Sequence, residues 1–122
     1  MQDARPIAPP TPSEAGDDVA AAMDRLCALS GQGAAALVRQ IGIDLAMLAA
    51  LVEHSPDAPT LRRALHDTRA LAGTCGAGAA MAAADALRDS LMGCAVSAAA
   101  DRAALAAILR ALADRVTALW PR

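Results

Sequence analysis

The chain has 122 residues and a formal net charge of −2. That length suits one domain with a single helical core. There is no basic tail and no set of stacking aromatics, which argues against nucleic-acid binding.

The chain contains no Phe, Tyr or Lys, Trp120 is its only aromatic residue, and alanine exceeds a quarter of the total. Strand formers are sparse, so helix is the default, and the core must come from Leu, Ile, Val, Met and Ala. No stretch reads as long and apolar enough to cross a bilayer, and the N-terminus carries no signal-peptide pattern.

Residues 1–16 include Pro6, Pro9, Pro10 and Pro12 and read as a disordered linker or tail ahead of a helical domain over 17–122. Asp17 and Asp18 are placed to cap a short first helix through about Ser30, with Val19, Met23 and Leu26 inward. Gly31 and Gly33 end it. A second helix is expected from about Ala34 to Glu53, on an apolar stripe of Leu37, Ile41, Leu45, Leu48 and Val52, mildly interrupted by Gly42. After the Ser55–Pro59 turn, Thr60 is expected to cap a third helix to about Cys75, with Leu61, Leu65, Thr68, Ala72 and Cys75 inward.

Gly76 and Gly78 mark a break. A fourth helix is expected from about Ala79 to Met92, burying Ala80, Ala84, Leu87 and Leu91. Gly93 to Ser97 reads as a loop. The last helix runs from about Ala98 to Leu119, with Leu105, Ile108, Leu109, Leu112, Val116 and Leu119 inward. Short loops between long helices favour antiparallel neighbours. The expected fold is therefore all-α: a monomeric up-down antiparallel four-helix bundle with a short N-terminal covering helix.

Cys27, Cys75 and Cys94 lack metal-type spacing and read as small core residues in a reducing compartment. No metal set, Ser/His/Asp set or phosphate loop is visible, and no cofactor is expected. The methionines read as core filler and Trp120 as a plug at one end of the bundle. His54 reads as a helix C-terminal cap or plain surface residue. Asp85, Arg88 and Asp89 read as exposed pairs along one helix.

The third helix carries the chemistry. Arg62, His66, Arg69, Gly73 and Gly76 form a stripe beside its core stripe. Two glycines within a helix cost roughly 1 kcal/mol each against alanine, so something should compensate. A neighbour from the same chain would make them packing glycines; a neighbour from a partner would make this a docking surface. A neutral imidazole on such a stripe is a competent nucleophile toward an activated phosphoryl group. Arg69 can neutralise the phosphoryl charge and Arg62 can assist. On spacing alone, a surface histidine without chemistry stands beside this reading.

The run from His66 to Gly76 resembles the histidine-phosphotransfer (HPt) domains of bacterial phosphorelays. Their signature has a His, a Lys three residues later, a Gly after that, and a Gly ten residues past the His; here those positions hold His66, Arg69, Ala70 and Gly76. The small-residue segment Leu71 to Ala77 is also similar, and the likeness spans roughly residues 18 to 120. Arg69 stands where Lys is usual, Ala70 where Gly is usual, and Thr68 where an apolar residue, usually Leu, is found.

The resemblance implies a phosphohistidine carrier that relays a phosphoryl group between receiver-domain aspartates in two-component signalling. On it, His66 is the acceptor, Arg69 and Arg62 attend the phosphoryl group, and Ala70, Gly73 and Gly76 meet the partner. The implied partners are a response-regulator receiver domain, which holds the Mg²⁺, and a sensor or hybrid histidine kinase, all in the cytoplasm. Two alternatives remain. One is a helical interaction or adaptor module, a degenerate HPt domain. The other is a bundle like histidine-kinase dimerisation domains, whose H-box His66-Asp67-Thr68-Arg69 resembles, although Leu71 stands where that box has Pro.

Overall fold

Alanine-rich sequence with its larger apolar residues at steps of three and four can bury area only by winding into helix. The computed structural model describes residues 17–93 and 98–119. It contains α1 (Val19–Ser30), a 3-10 turn (Gly31–Gly33), α2 (Ala34–His54), α3 (Ala58–Thr74), α4 (Gly78–Gly93) and α5 (Ala98–Leu119). Among the described residues the extended pairing is one isolated bridge, Asp17 with Ala77. The fold is all-α. The expected tail over 1–16, the 94–97 part of the last loop, Cys94 and Trp120 lie outside the described residues.

Helix α2 packs on α3 and α5, and α4 packs on the same two, so the four long helices close into a ring. Helix α1 lies against α2 and α5. Two pairs reveal their direction. Arg102, early in α5, donates to the carbonyls of Val52 (2.8 Å) and Ser55 (2.7 Å) at the end of α2. Thr117, late in α5, lies over Gly42, in the first half of α2. Thus α2 and α5 are antiparallel. Arg69 faces Asp85, and Gly73 faces Met81, so α3 and α4 are antiparallel too.

The core follows the expected stripes. Leu45, Val52, Leu87, Leu105, Leu109 and Val116 are fully enclosed, and Leu61, Leu65, Thr68, Ala72 and Cys75 are buried along α3. Leu26, Leu37, Leu91, Ile108 and Leu119 pack at the margin. Gly42 is more than a weak point in α2. A Cβ there would lie 2.8 Å from Thr117 Cγ2, so its absence lets α5 approach. Methionine is not uniformly core filler: Met23 is buried, whereas Met47 and Met92 are largely exposed.

Two caps differ from the sequence expectation. Asp57, rather than Thr60, caps α3: its Oδ1 accepts from the Thr60 N–H at 2.8 Å, with Pro59 in the first turn. That bond holds the Asp57 carboxyl below its ordinary value. Asp18 stands at the N-cap of α1 without a side-chain cap bond. Asp17 caps a different helix. Its carboxylate accepts from the Ala79 N–H of α4 at 3.0 Å and from Arg115 of α5 at 2.7 Å. The bridge to Ala77 brings Asp17 to the start of α4, which a reading along the chain does not anticipate.

The Val19–His54 segment is, by length and composition, apolar enough to cross a membrane, contrary to the sequence reading. The cause is the run of Leu, Ile and Val along α2, from Leu37 to Val52, interspersed with alanine and few charges. In the bundle, Leu45, Ala49 and Val52 of this segment are completely enclosed by protein.

Gly76 has φ +68°, and a Cβ on it would lie 2.7 Å from the Asp18 carbonyl oxygen and 2.9 Å from Ala22 Cβ. Left-handed backbone costs a non-glycine residue roughly 1–2 kcal/mol before any clash. Gly31 has φ +57° with nothing within 4 Å of the same position. Urea denaturation should therefore show Gly31→Ala losing about 1 kcal/mol and Gly76→Ala at least about 2 kcal/mol. Equal losses would mean that the approach of α1 to the turn is not stabilising.

Candidate functional site on helix α3

The burial of Leu61, Leu65, Thr68 and Ala72 fixes the rotation of α3 about its axis. His66, one residue past Leu65, is thereby turned outward, and its side chain is 83% exposed. Arg62, Arg69 and Gly73 are exposed as well. His66 Nδ1 lies 3.3 Å from Asp67 Oδ1. A carboxylate partner favours the tautomer that carries its proton on Nδ1, which leaves the Nε2 lone pair available.

Between α3 and α4 lies a depression of about 210 Å³, lined by Arg62, His66, Arg69, Asp85 and Arg88 over Leu65 and Ala84. Arg69 Nε donates to both Asp85 oxygens, at 3.0 and 3.2 Å. Arg88 Nη2 is 3.8 Å from Asp85 Oδ1. The histidine therefore shares this depression with three arginines, two of them beside a single carboxylate.

Asp85 and Arg88 are the site residues that sequence reasoning missed. Periodicity pairs them along α4 alone, whereas Asp85 also bridges to Arg69 of α3. A signal was present. An antiparallel hairpin turning at Ala77 sets position 69 opposite 85 and position 73 opposite 81.

On its other side, α3 meets α2 in an open groove of about 490 Å³. Met47, Leu48, Leu51, Ala70 and Leu71 give it an apolar floor, and Asp44 and Asp67 provide charge. Ala70 thus belongs to this groove and not to the arginine depression. His66 and Ala70 are on adjacent flanks of one helix.

The glycines divide. Gly73 is exposed, and a Cβ there would make ordinary 3.6 Å contact with Met81. Gly76 lies beyond the end of α3 and serves α1 of its own chain, as the Asp18 contact shows. Its expected place on a partner-facing stripe is corrected accordingly: the backbone turns there, so the helical stripe does not reach it.

His54 is exposed at the end of α2, 3.6 Å from Glu53. The Glu53 carboxyl is held below its ordinary value chiefly by a hydrogen bond from Arg110 at 2.6 Å. Among the described residues no three His, Cys, Asp or Glu side chains form a cluster fit for a metal. Cys27 and Cys75 are buried free thiols. No family model, curated protein or solved structure matches the chain.

Thr68 is completely enclosed, and its hydroxyl has no hydrogen-bond partner. An unsatisfied buried hydroxyl costs about 1–3 kcal/mol. Thr68→Val keeps the shape and removes that group, so it should raise the unfolding free energy by about 1 kcal/mol and the Tm by several degrees. A loss of stability would show that the hydroxyl is solvated or bonded after all.

Burial pushes the Cys75 thiol up from its ordinary 9.0 to about 11. A raised folded value favours the protonated thiol in the native state. The associated stability is complete below about pH 9 and is lost as pH rises toward about 11. Unfolding free energy should fall across that window, and Cys75→Ala should flatten the slope. An unchanged slope would rule out Cys75 as its source.

Proposed function

We propose that the chain is an HPt-like phosphohistidine carrier in a two-component relay, with His66 as the acceptor. The observation that carries this reading is an outward imidazole, its Nδ1 held by Asp67, set among Arg62, Arg69 and Arg88. Phosphoryl transfer needs mainly positioning and charge neutralisation, and these residues offer both.

The Nε2 lone pair attacks the phosphorus of a receiver aspartyl phosphate. The P–N bond forms as the P–O bond to the aspartyl group breaks, and the electron pair leaves on the receiver carboxylate. The ring gains positive charge, which the Asp67 carboxylate at Nδ1 stabilises until that proton passes to solvent. Reversal onto a second receiver returns the neutral imidazole. Mg²⁺ belongs to the receiver. The α2/α3 groove, with Ala70 beside His66, supplies the apolar landing surface, and Gly73 leaves room at the opposite flank. This reading places the protein in the bacterial cytoplasm, acting as a monomer between a kinase and a receiver.

One observation favours a second reading. The acidic neighbour of His66 lies 3.3 Å from the ring, and an acidic residue follows the His in the H-box that this segment resembles. An obligate dimer in sedimentation would support that reading; a monomer would reject it.

Incubation with a phosphorylated receiver should label the chain with an acid-labile, base-stable phosphoramidate. His66→Gln should abolish the label and His54→Gln should leave it. Arg69→Ala removes a charged hydrogen bond of roughly 1.5–3 kcal/mol, so transfer should slow by about one to two decades. Undiminished labelling of the His66→Gln variant would refute the assignment. No labelling of the unaltered chain by any receiver or by phosphoramidate would leave the adaptor reading in its place.

A further inference from the structure

We propose that Asp85 is a positioning residue that competes with the phosphoryl group for Arg69, so that the cradle around His66 accepts a dianion only as the Arg69–Asp85 bridge gives way. The inference rests on the phosphoacceptor reading of His66 and concerns how tightly that site holds its cargo.

Three features support it. First, the two 3.0–3.2 Å contacts from Arg69 Nε occupy both carboxylate oxygens, and Arg88 is 3.8 Å from one of them. A single carboxylate thus engages two of the three cations in the depression. Second, Asp85 lines the same depression as His66, so an incoming phosphoryl group meets its negative charge as well as the arginines. Third, the bridge is easily exchanged. Its side chains are 51% and 35% exposed, and pairs of this kind contribute little to stability. A phosphoryl group offers Arg69 charge-assisted acceptors arranged for the guanidinium fork. Arg69 and Arg88 pass to the phosphoryl group when it arrives, and Asp85 reclaims them when it leaves. In the empty state Asp85 holds Arg69 across the α3/α4 cleft near His66. In the loaded state it keeps the phosphoryl group from being bound so firmly that onward transfer stalls.

Inorganic phosphate titrated into the full chain, followed by the NMR shifts of the His66 ring, tests this without any transfer reaction. Asp85→Asn should bind phosphate about fivefold more tightly, and Asp85→Glu should return toward the unaltered affinity. The gain should vanish when Arg69→Gln is added. On chain labelled with phosphoramidate, Asp85→Asn should also slow phosphoryl release to a receiver by a similar factor. Equal phosphate affinity with and without Asp85→Asn, or a gain that survives Arg69→Gln, would overturn the proposal. Tighter phosphate binding with the stated Arg69 dependence, in a chain whose His66 never labels, would uphold the competition and reject only the relay reading.

Discussion

The turn between α3 and α4 has one closing geometry, and the surroundings of His66 follow from it. Gly76 takes a left-handed backbone that a side chain would strain, and the Asp18 carbonyl occupies the space where a Cβ would project. The Asp18 N–H donates to the Gly76 carbonyl at 2.7 Å, and the Asp17 carboxylate caps α4 while holding Arg115. Segments far apart in the chain are thus joined at one end of the bundle. That junction fixes the antiparallel register of α3 and α4, which sets Asp85 opposite Arg69. A shift of one residue in the register would leave the arginine facing alanine.

Around His66 the balance of charges matters more than the number of cations. Arg62, Arg69 and Arg88 would together make a strong anion site, but Asp85 offsets part of that field. On the proposed reading, a phosphoryl group competes with Asp85 for Arg69 because it offers more acceptor oxygens and more negative charge than one carboxylate, and the carboxylate moderates the outcome. Asp67 acts on the same imidazole by a different route, through its 3.3 Å contact with Nδ1.

Alanine shapes both the interior and the surface. Small side chains let helices approach, as at Gly42 beneath Thr117, but each contact buries modest area. Larger apolar side chains also appear outside: Ile43, Met47 and Leu51 recur every four residues along α2 and remain exposed. Two of them, Met47 and Leu51, line the groove beside Asp67 and Ala70. An apolar groove and a cationic depression thus share one helix, each on its own flank.

The sequence by itself determined the helices and the inward faces, because apolar spacing along one helix is a local property. The stripes of α3 and α5 are legible residue by residue, and burial of Leu65 and Thr68 already implies an outward His66. The outward placement of Arg62 and Arg69 follows from the same periodicity. What the tertiary structure alone decided depends on contacts between distant segments. The role of Gly76 depends on Asp18, the role of Asp17 on Ala79 and Arg115, and the environment of Arg69 on Asp85. The lack of a partner for the Thr68 hydroxyl, and the separation of Ala70 from the arginine depression, are likewise set by neighbouring helices. Periodicity specifies which face of a helix is buried; only packing specifies what that face, or its opposite, meets.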